Sequence, residues 1–168
     1  MKKIILLLLA APSMLFASVG VGLSIHQVDN VDTGYGDVGF DLNTINLAWE
    51  NRFEDNLAVQ VKFGFGTGDD SDKDEDGDSY ELEVNQYFQL KGMYFVNENV
   101  YAALTYTNID FDSYVEWTDT KDSGSESDFN FMIGYRGESF DVYMGPTIDE
   151  GAGGEILELG FTYFFDLD

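Results

Sequence analysis

The acidic stretch from Asp72 to Glu83 has residue types and spacing that could bind a divalent cation. It fits the EF-hand pattern, with acids at the first, third, fifth and twelfth positions and Gly77 at the sixth. Calcium prefers several oxygen ligands on a tight turn, which this stretch could supply. Ser79, however, stands where the pattern usually has a hydrophobic residue, and no helical pattern flanks the stretch. Two interpretations stay open: a solvated acidic loop that needs no cofactor, and weak binding of Ca²⁺ or Mg²⁺. In the second case the ligands are Asp72, Asp74, Asp76 and Asp78.

Residues suited to acid–base catalysis are sparse. His26 is the only histidine, and histidine is the side chain most often used as a general base. Ser24 and Asp29 are near it in sequence, but no nucleophile motif surrounds them. Patterns for nucleotide binding and zinc binding are absent from the sequence. We therefore predict that the protein is not an enzyme, that it has no catalytic residues, and that His26 is a polar residue inside the fold.

These residues must be positioned by β-strands, because eight runs of alternating apolar and polar residues organise almost the whole chain. In the third run, every second residue from Leu57 to Phe65 is large and apolar, and Gln60 and Lys62 lie between them. Such period-two alternation puts the two sets on opposite faces of one strand. Short and long connectors alternate along the chain. The short ones are residues 51–55, 96–99 and 137–138, and the long ones are residues 29–38, 67–79, 112–127 and 147–154.

This rhythm predicts an all-β fold, a closed eight-stranded antiparallel up-and-down transmembrane β-barrel with short turns at one end and long loops at the other. Aromatic residues crowd both ends of the runs, and acids concentrate in the long connectors. Most runs are about ten residues long, which suits a tilted strand that crosses a bilayer. These features favour an outward apolar face. Alternation alone leaves a soluble periplasmic, lipocalin-like ligand-binding barrel open, with its apolar face inward.

The second run is the least regular. Leu47 and Trp49 alternate well with the polar residues around them, but Phe40 and Leu42 have the other parity. A β-bulge near residues 43–44 would bring both sets to one face, so we expect a bulge there.

If the apolar face meets lipid, the polar face fills the barrel interior. An eight-stranded barrel has room inside only for side chains, and an unpaired buried charge is very costly. We therefore predict a network of ion pairs that plugs the interior, with a small gated channel as the alternative. Unbroken alternation within the runs gives the network these members: Lys62, Lys91, Arg136, Glu81, Glu83, Asp141 and Glu158.

The N-terminus indicates export. Two lysines precede a short apolar segment, residues 4–11, and Ala17 offers a small residue for cleavage. This segment is too short to span a bilayer. We predict a cleaved signal peptide at residues 1–17 and one barrel domain at residues 18–168. The 168-residue chain has no cysteine for lipid attachment, and its formal net charge of −24 argues against nucleic-acid binding.

The last run adds a family signal. Its residues from Glu158 to Phe165 resemble the C-terminal β-signal of outer-membrane proteins, in which a polar residue and a glycine precede aromatic residues at alternate positions. Three residues follow Phe165, where the family usually ends. With this signal, residues 18–168 resemble the superfamily of small eight-stranded bacterial outer-membrane β-barrels, of the OmpA-barrel and OmpX type in the porin family.

The resemblance implies a location in the Gram-negative outer membrane, in contact with outer-membrane lipid and lipopolysaccharide. It implies folding by the barrel assembly machinery, a monomeric state, and long loops that face the outside of the cell. The function expected on this basis is non-enzymatic, with a structural or surface-interaction role for the acidic loops. The sequence leaves the surface ligand open.

Overall fold

The computed structural model describes residues 18–33, 36–148 and 155–165. The predicted signal peptide, residues 1–17, lies outside the described residues. A short 3₁₀ helix spans Glu116–Thr118, and in the described residues no helix is long and apolar enough to cross a membrane. The strands are β1 (Ser18–Asp32), β2 (Asp37–Glu54), β3 (Leu57–Gly66), β4 (Asp69–Lys73), β5 (Ser79–Phe95), β6 (Val100–Val115), β7 (Thr120–Arg136), β8 (Phe140–Pro146) and β9 (Glu155–Phe165).

The strands form a closed ring. Apart from β4, strands that follow one another in the chain pair side by side and antiparallel. Two further antiparallel pairings complete the ring, between β1 and β9 and between β3 and β5. The short strand β4 pairs with β5 beyond the end of β3. The predicted closed barrel of eight antiparallel strands is therefore confirmed. Closure lets the ring strands satisfy their backbone hydrogen bonds within the sheet.

Alternate residues of the ring strands face the interior and the exterior. Along β3, Ala58, Gln60 and Lys62 are buried, whereas Leu57 and Phe63 are exposed. In this middle band of the barrel the interior is polar and the exterior apolar, which is the reverse of a soluble protein. The arrangement argues against the lipocalin-like alternative, which requires an apolar interior at this level.

β2 has no bulge near residues 43–44, so that expectation is wrong. Its register with β1 runs unbroken from Glu50 to Phe40, and Phe40, Leu42 and Thr44 are all buried on the inner face. The parity of the apolar residues changes because the environment changes: toward the long-loop end the interior becomes apolar. Phe40 and Leu42 pack there in a cluster with these residues: Val28, Val38, Val84, Tyr87 and Ile109.

β5 contains a bulge that the sequence did not indicate. Its pairing with β6 shifts between Val84 and Gln86, and the inward parity of the strand changes at that point. Val84 is buried as a result, and Glu81 and Glu83 are exposed. The prediction that these two glutamates face the interior is wrong, because it assumed unbroken alternation along the whole run.

Much of the sequence predicted as long loops is strand. β6 and β7 stay paired up to Val115 and Thr120, and Asp119 in the turn between them has a left-handed backbone, with φ of 52°. Asp, Gly and Ser have low strand propensity, but pairing with a neighbouring strand overrides it here. We call the part of the sheet that continues beyond the ring the acidic extension. It comprises β4, residues 79–84 of β5, residues 110–115 of β6 and residues 120–125 of β7.

Candidate functional site in the barrel interior

Charged side chains are buried in the barrel. Among the described side chains, β2, β3, β5, β7, β8 and β9 each contribute one that faces inward, and four of these six are 0% exposed. An isolated buried charge is very costly, so the contacts among these groups decide what the interior can do. In strand order the residues are Glu50, Lys62, Lys91, Arg136, Asp141 and Glu158.

Glu158 is the centre of this network. Its carboxylate accepts hydrogen bonds from the hydroxyls of Tyr87 at 3.0 Å and Tyr143 at 2.8 Å. The Gln89 amide donates to the same carboxylate at 2.8 Å. Tyr87 and Gln89 belong to β5, which stands opposite β9 in the ring. The hydrogen bonds from Tyr87 and Gln89 to Glu158 therefore cross the full width of the barrel interior.

Tyr143 contacts both buried lysines. The Lys62 ammonium donates to the Tyr143 hydroxyl at 2.7 Å, and Lys91 Nζ lies 3.2 Å from the centroid of the Tyr143 ring. Such a position over an aromatic face is a cation–π contact. Lys91 also pairs with Asp141 at 3.8 Å, and Asp141 accepts the Tyr101 hydroxyl at 2.7 Å. Because β3 stands opposite β8, the bond from Lys62 to Tyr143 is a second connection across the interior.

Arg136 and Glu50 form a third connection, nearer the short-turn end. The Arg136 guanidinium donates to the Glu50 carboxylate, and the Gln60 amide donates to the same oxygen at 3.1 Å. The guanidinium also lies over the Phe164 ring, with Cζ 4.0 Å from the ring centroid. β2 and β7 are opposite one another in the ring, so this ion pair also spans the interior.

The structure places part of the predicted interior network as the sequence suggested. Glu81 and Glu83 are absent from the interior, since they lie in the acidic extension. Glu50 was missed, although it has the inward parity of β2, and it supplies the acid that faces Arg136. The predicted residues that do meet in the interior are Lys62, Lys91, Arg136, Asp141 and Glu158.

His26 and Ser24 do not form a catalytic pair in the structure. The Ser24 hydroxyl is hydrogen-bonded to the Tyr143 hydroxyl at 2.9 Å, and the Asn46 amide donates to it at 3.2 Å. His26 is buried with its ring centroid 5.2 Å from that of Tyr87, and its Nε2 has no hydrogen-bond partner among the described residues. His26 therefore occupies the place predicted for it, as a polar side chain inside the fold.

The four aspartates predicted as cation ligands are not brought together. Asp74 accepts the backbone N–H groups of Asp76 and Asp78 at 3.1 and 2.9 Å, so its carboxylate closes a turn. Asp72 accepts the backbone N–H of Gly39 at 2.9 Å, and this bond is the main reason why the pKa of Asp72 lies below its usual value. In the described ranges no group of three or more acids or histidines is arranged to hold a metal ion. Weak cation binding stays a prediction.

The acidic extension places like charges side by side. Asp69, Glu83 and Asp112 are successive register partners across β4, β5 and β6. Like charges directly opposite each other destabilise a sheet. The Ser123 hydroxyl donates to Asp112 at 2.7 Å and Lys121 lies 3.3 Å from its other oxygen, and together they hold the pKa of Asp112 below its usual value.

Comparison with known proteins gives matches in structure only. No family model matches this sequence, and no curated protein sequence matches it. The crystal structure of Ail, the attachment invasion locus protein of Yersinia pestis, in complex with the heparin analogue sucrose octasulfate is similar, with 14% identity and a TM-score of 0.51. Another crystal structure of Ail gives 16% identity and a TM-score of 0.51.

Neisserial surface protein A gives a comparable match, with 12% identity and a TM-score of 0.50. Each of these alignments covers 89% of this chain and 97% of the other chain. At such identities the likeness shows the fold alone. The predicted resemblance to small eight-stranded outer-membrane β-barrels is thereby confirmed at the level of fold.

Proposed function

We propose that this chain is a non-enzymatic β-barrel of the Gram-negative outer membrane, with a plugged polar interior and an acidic extension that contacts molecules outside the cell. The observation that carries the proposal is that polar side chains are buried and apolar side chains are exposed in the middle band of the barrel. Lys62 and Glu158 are fully buried there, while Leu104 is 54% exposed. Water would favour the opposite arrangement, and a bilayer favours this one.

An apolar belt around the barrel supports the membrane location. A large contiguous area of exposed apolar surface marks a membrane or protein interface. Outward-facing aromatic rings lie toward both rims of the belt, as in the pairs Tyr135–Phe140 and Tyr106–Phe129. Every ring strand contributes to the belt, as the following residues illustrate: Leu23, Leu47, Phe63, Leu90, Leu104, Phe131, Val142 and Phe161.

The connections across the interior support a plug. They join three pairs of opposite strands, through Gln89 and Glu158, Lys62 and Tyr143, and Arg136 and Glu50. The interior of an eight-stranded barrel is only wide enough for side chains. Side chains that bond from wall to wall at three places leave no room for a wide aqueous path. The role proposed for the interior charges is therefore structural.

The acidic extension is the part suited to surface interaction. Its neighbouring acids make the local electrostatic potential more negative, so a basic partner or basic surface would relieve the repulsion between them. The structure of Ail was solved with a heparin analogue, which is a polyanion. This chain, with a formal net charge of −24, is expected to avoid polyanions instead.

Cell fractionation combined with gel migration tests this proposal. The protein should enter the outer-membrane fraction, and the unboiled sample should migrate differently from the boiled sample, as a closed barrel resistant to detergent does. The variant Arg136→Ala, which removes the cation that faces Glu50, should show the shift at a lower temperature of heating, whereas Arg52→Ala should not. Recovery of the wild type in the soluble periplasmic fraction would contradict the proposal.

A further inference from the structure

The long-loop end of the barrel contains a cavity that the plug does not explain. Its volume is about 330 Å³, within the range of pockets that hold small molecules. We call it the mouth cavity. Apolar side chains make up most of its lining, chiefly Val28, Phe40, Leu42, Leu82, Ile109 and Ile156.

The apolar lining of the mouth cavity is built by two departures from simple alternation. Phe40 and Leu42 are the residues of β2 whose parity is opposite to that of the lipid-facing residues, and they face inward. The bulge in β5 turns Leu82 and Val84 to the same side. At this end of the barrel apolar side chains are therefore buried inside, as in a soluble ligand-binding barrel.

The mouth cavity is separate from the charged interior. Tyr87 is fully buried in the apolar cluster at this end, and its hydroxyl donates to Glu158 in the charged network. The Tyr87 ring therefore ends the polar network on the side of the cavity. An eight-stranded barrel can either fill its interior with side chains or hold one small ligand. This barrel fills its interior with side chains in the middle band and leaves a cavity at the long-loop end.

The charge around the mouth cavity is negative. Its described lining contains four acids, Asp32, Glu81, Glu126 and Asp128, and no lysine or arginine. Glu126 is the register partner of Ile109, and both are on the inner side of the wall. A carboxylate at the edge of an apolar site favours a ligand with a positive group, and the acidic extension would steer such a ligand toward the mouth.

We propose that the mouth cavity binds a small apolar molecule that carries one cationic group, of the class of hydrophobic primary amines. The apolar part lies against Phe40, Leu42 and Ile109, and the ammonium group faces Glu126. This inference goes beyond the proposed function, and it requires only that the barrel is folded.

Binding of three matched probes tests the inference. The full mature chain in zwitterionic lipid nanodiscs would be titrated calorimetrically with 4-phenylbutylamine, 4-phenylbutanol and 4-phenylbutyrate, with empty nanodiscs to subtract partition into lipid. The amine should bind saturably and most tightly, and the carboxylate most weakly. Similar binding of all three probes would overturn the cationic part of the proposal, and no saturable binding of the amine would overturn the site.

Variants locate the binding. Ile109→Trp fills the cavity and should abolish saturable binding, while the heat-dependent gel shift reports whether the barrel is still folded. Glu126→Gln keeps the shape and should weaken amine binding roughly two- to fivefold, as for a partly exposed charge pair. Asp110→Asn removes a neighbouring charge outside the wall and should leave binding unchanged. Equal effects of the last two variants, or full binding by a folded Ile109→Trp variant, would place the amine elsewhere and contradict the proposal.

Discussion

The Tyr143 hydroxyl donates a hydrogen bond of 2.8 Å to Glu158, although the two residues are not register partners on β8 and β9. The partner of Tyr143 is Gly160, and a Cβ atom at Gly160 would collide with the Tyr143 ring. The glycine therefore leaves the space through which the ring reaches into the interior. The contacts of both buried lysines with Tyr143 depend on this arrangement.

Gly160→Ala should destabilise the barrel by about 1–3 kcal/mol, the usual cost of overpacking a filled interior. The added methyl group pushes the Tyr143 ring away from Lys62 and Glu158. Urea unfolding in lipid vesicles measures the change. Gly68→Ala is the control, because nothing lies within 4 Å of a Cβ atom there. Equal stability of the two variants would show that the Tyr143 ring has room to move.

Glu158→Gln should cost about 3 kcal/mol or more, the scale for removing one partner of a buried charge pair. The change leaves Asp141 as the remaining carboxylate near Lys62 and Lys91 in the described interior, and it weakens the bonds from Tyr87 and Tyr143. The same unfolding measurement applies, with the exposed Glu98→Gln as the matched control. Unchanged stability of Glu158→Gln would mean that this carboxylate does not hold the network together.

Leu104→Arg should destabilise the inserted barrel by about 2–4 kcal/mol if Leu104 lies near the bilayer midplane. The new charge would stand in hydrocarbon, on the outer face of β6. Val96→Arg provides the comparison, because Val96 is also exposed and apolar but lies in a short turn outside the belt. A neutral effect of Leu104→Arg in vesicles would mean that the outer face of β6 meets water.

The attachment of β4 to β2 should depend on pH through Asp72. The Gly39 N–H, and next the Lys73 N–H, lower the pKa of Asp72, so the ionised carboxylate is the form that the folded extension favours. The contribution is present above the usual aspartate pKa of about 3.9 and is lost as the pH falls through the lower folded value. Hydrogen exchange at Gly39, corrected for its intrinsic pH dependence, should therefore accelerate only in acid.

Variants separate this effect from general acid unfolding. Asp72→Ala should expose the Gly39 amide to exchange at neutral pH, whereas Asp76→Ala, at the tip of the same turn, should not. Equal protection of Gly39 in both variants would show that another group holds β4 against β2.

The sequence predicted the fold better than it predicted the contacts. Strict alternation in runs such as β3 was enough for the strand count and for the two faces, since burial on one side and lipid on the other impose period two. The same rule failed at Phe40 and Leu42, where the interior changes from polar to apolar along one strand. It also failed beyond the bulge of β5, which reverses parity without a glycine or proline to mark it.

Alternation alone could not predict which interior side chains bond to each other. Parity puts Tyr87 and Glu158 inside, but nothing local indicates that residues 71 positions apart share a hydrogen bond. Which side chains meet depends on which strands stand opposite each other in the ring, and that depends on the order and stagger of all eight. Glu50 shows the same limit, since its parity was informative but its partner, Arg136, lies on the far side of the barrel.

Spin labels placed along β6 test the central claim, that lipid surrounds a plugged barrel, most directly. The chain has no cysteine, so single cysteines can be labelled cleanly. In bilayers, a nitroxide at the outward Leu104 should be accessible to oxygen and shielded from a water-soluble nickel chelate, and one at the inward Thr105 should be shielded from both. A label at Val96 should be open to the nickel chelate. Nickel access at position 104 would place the apolar face in water, and nickel access at position 105 would show a water-filled interior; either result would contradict the account.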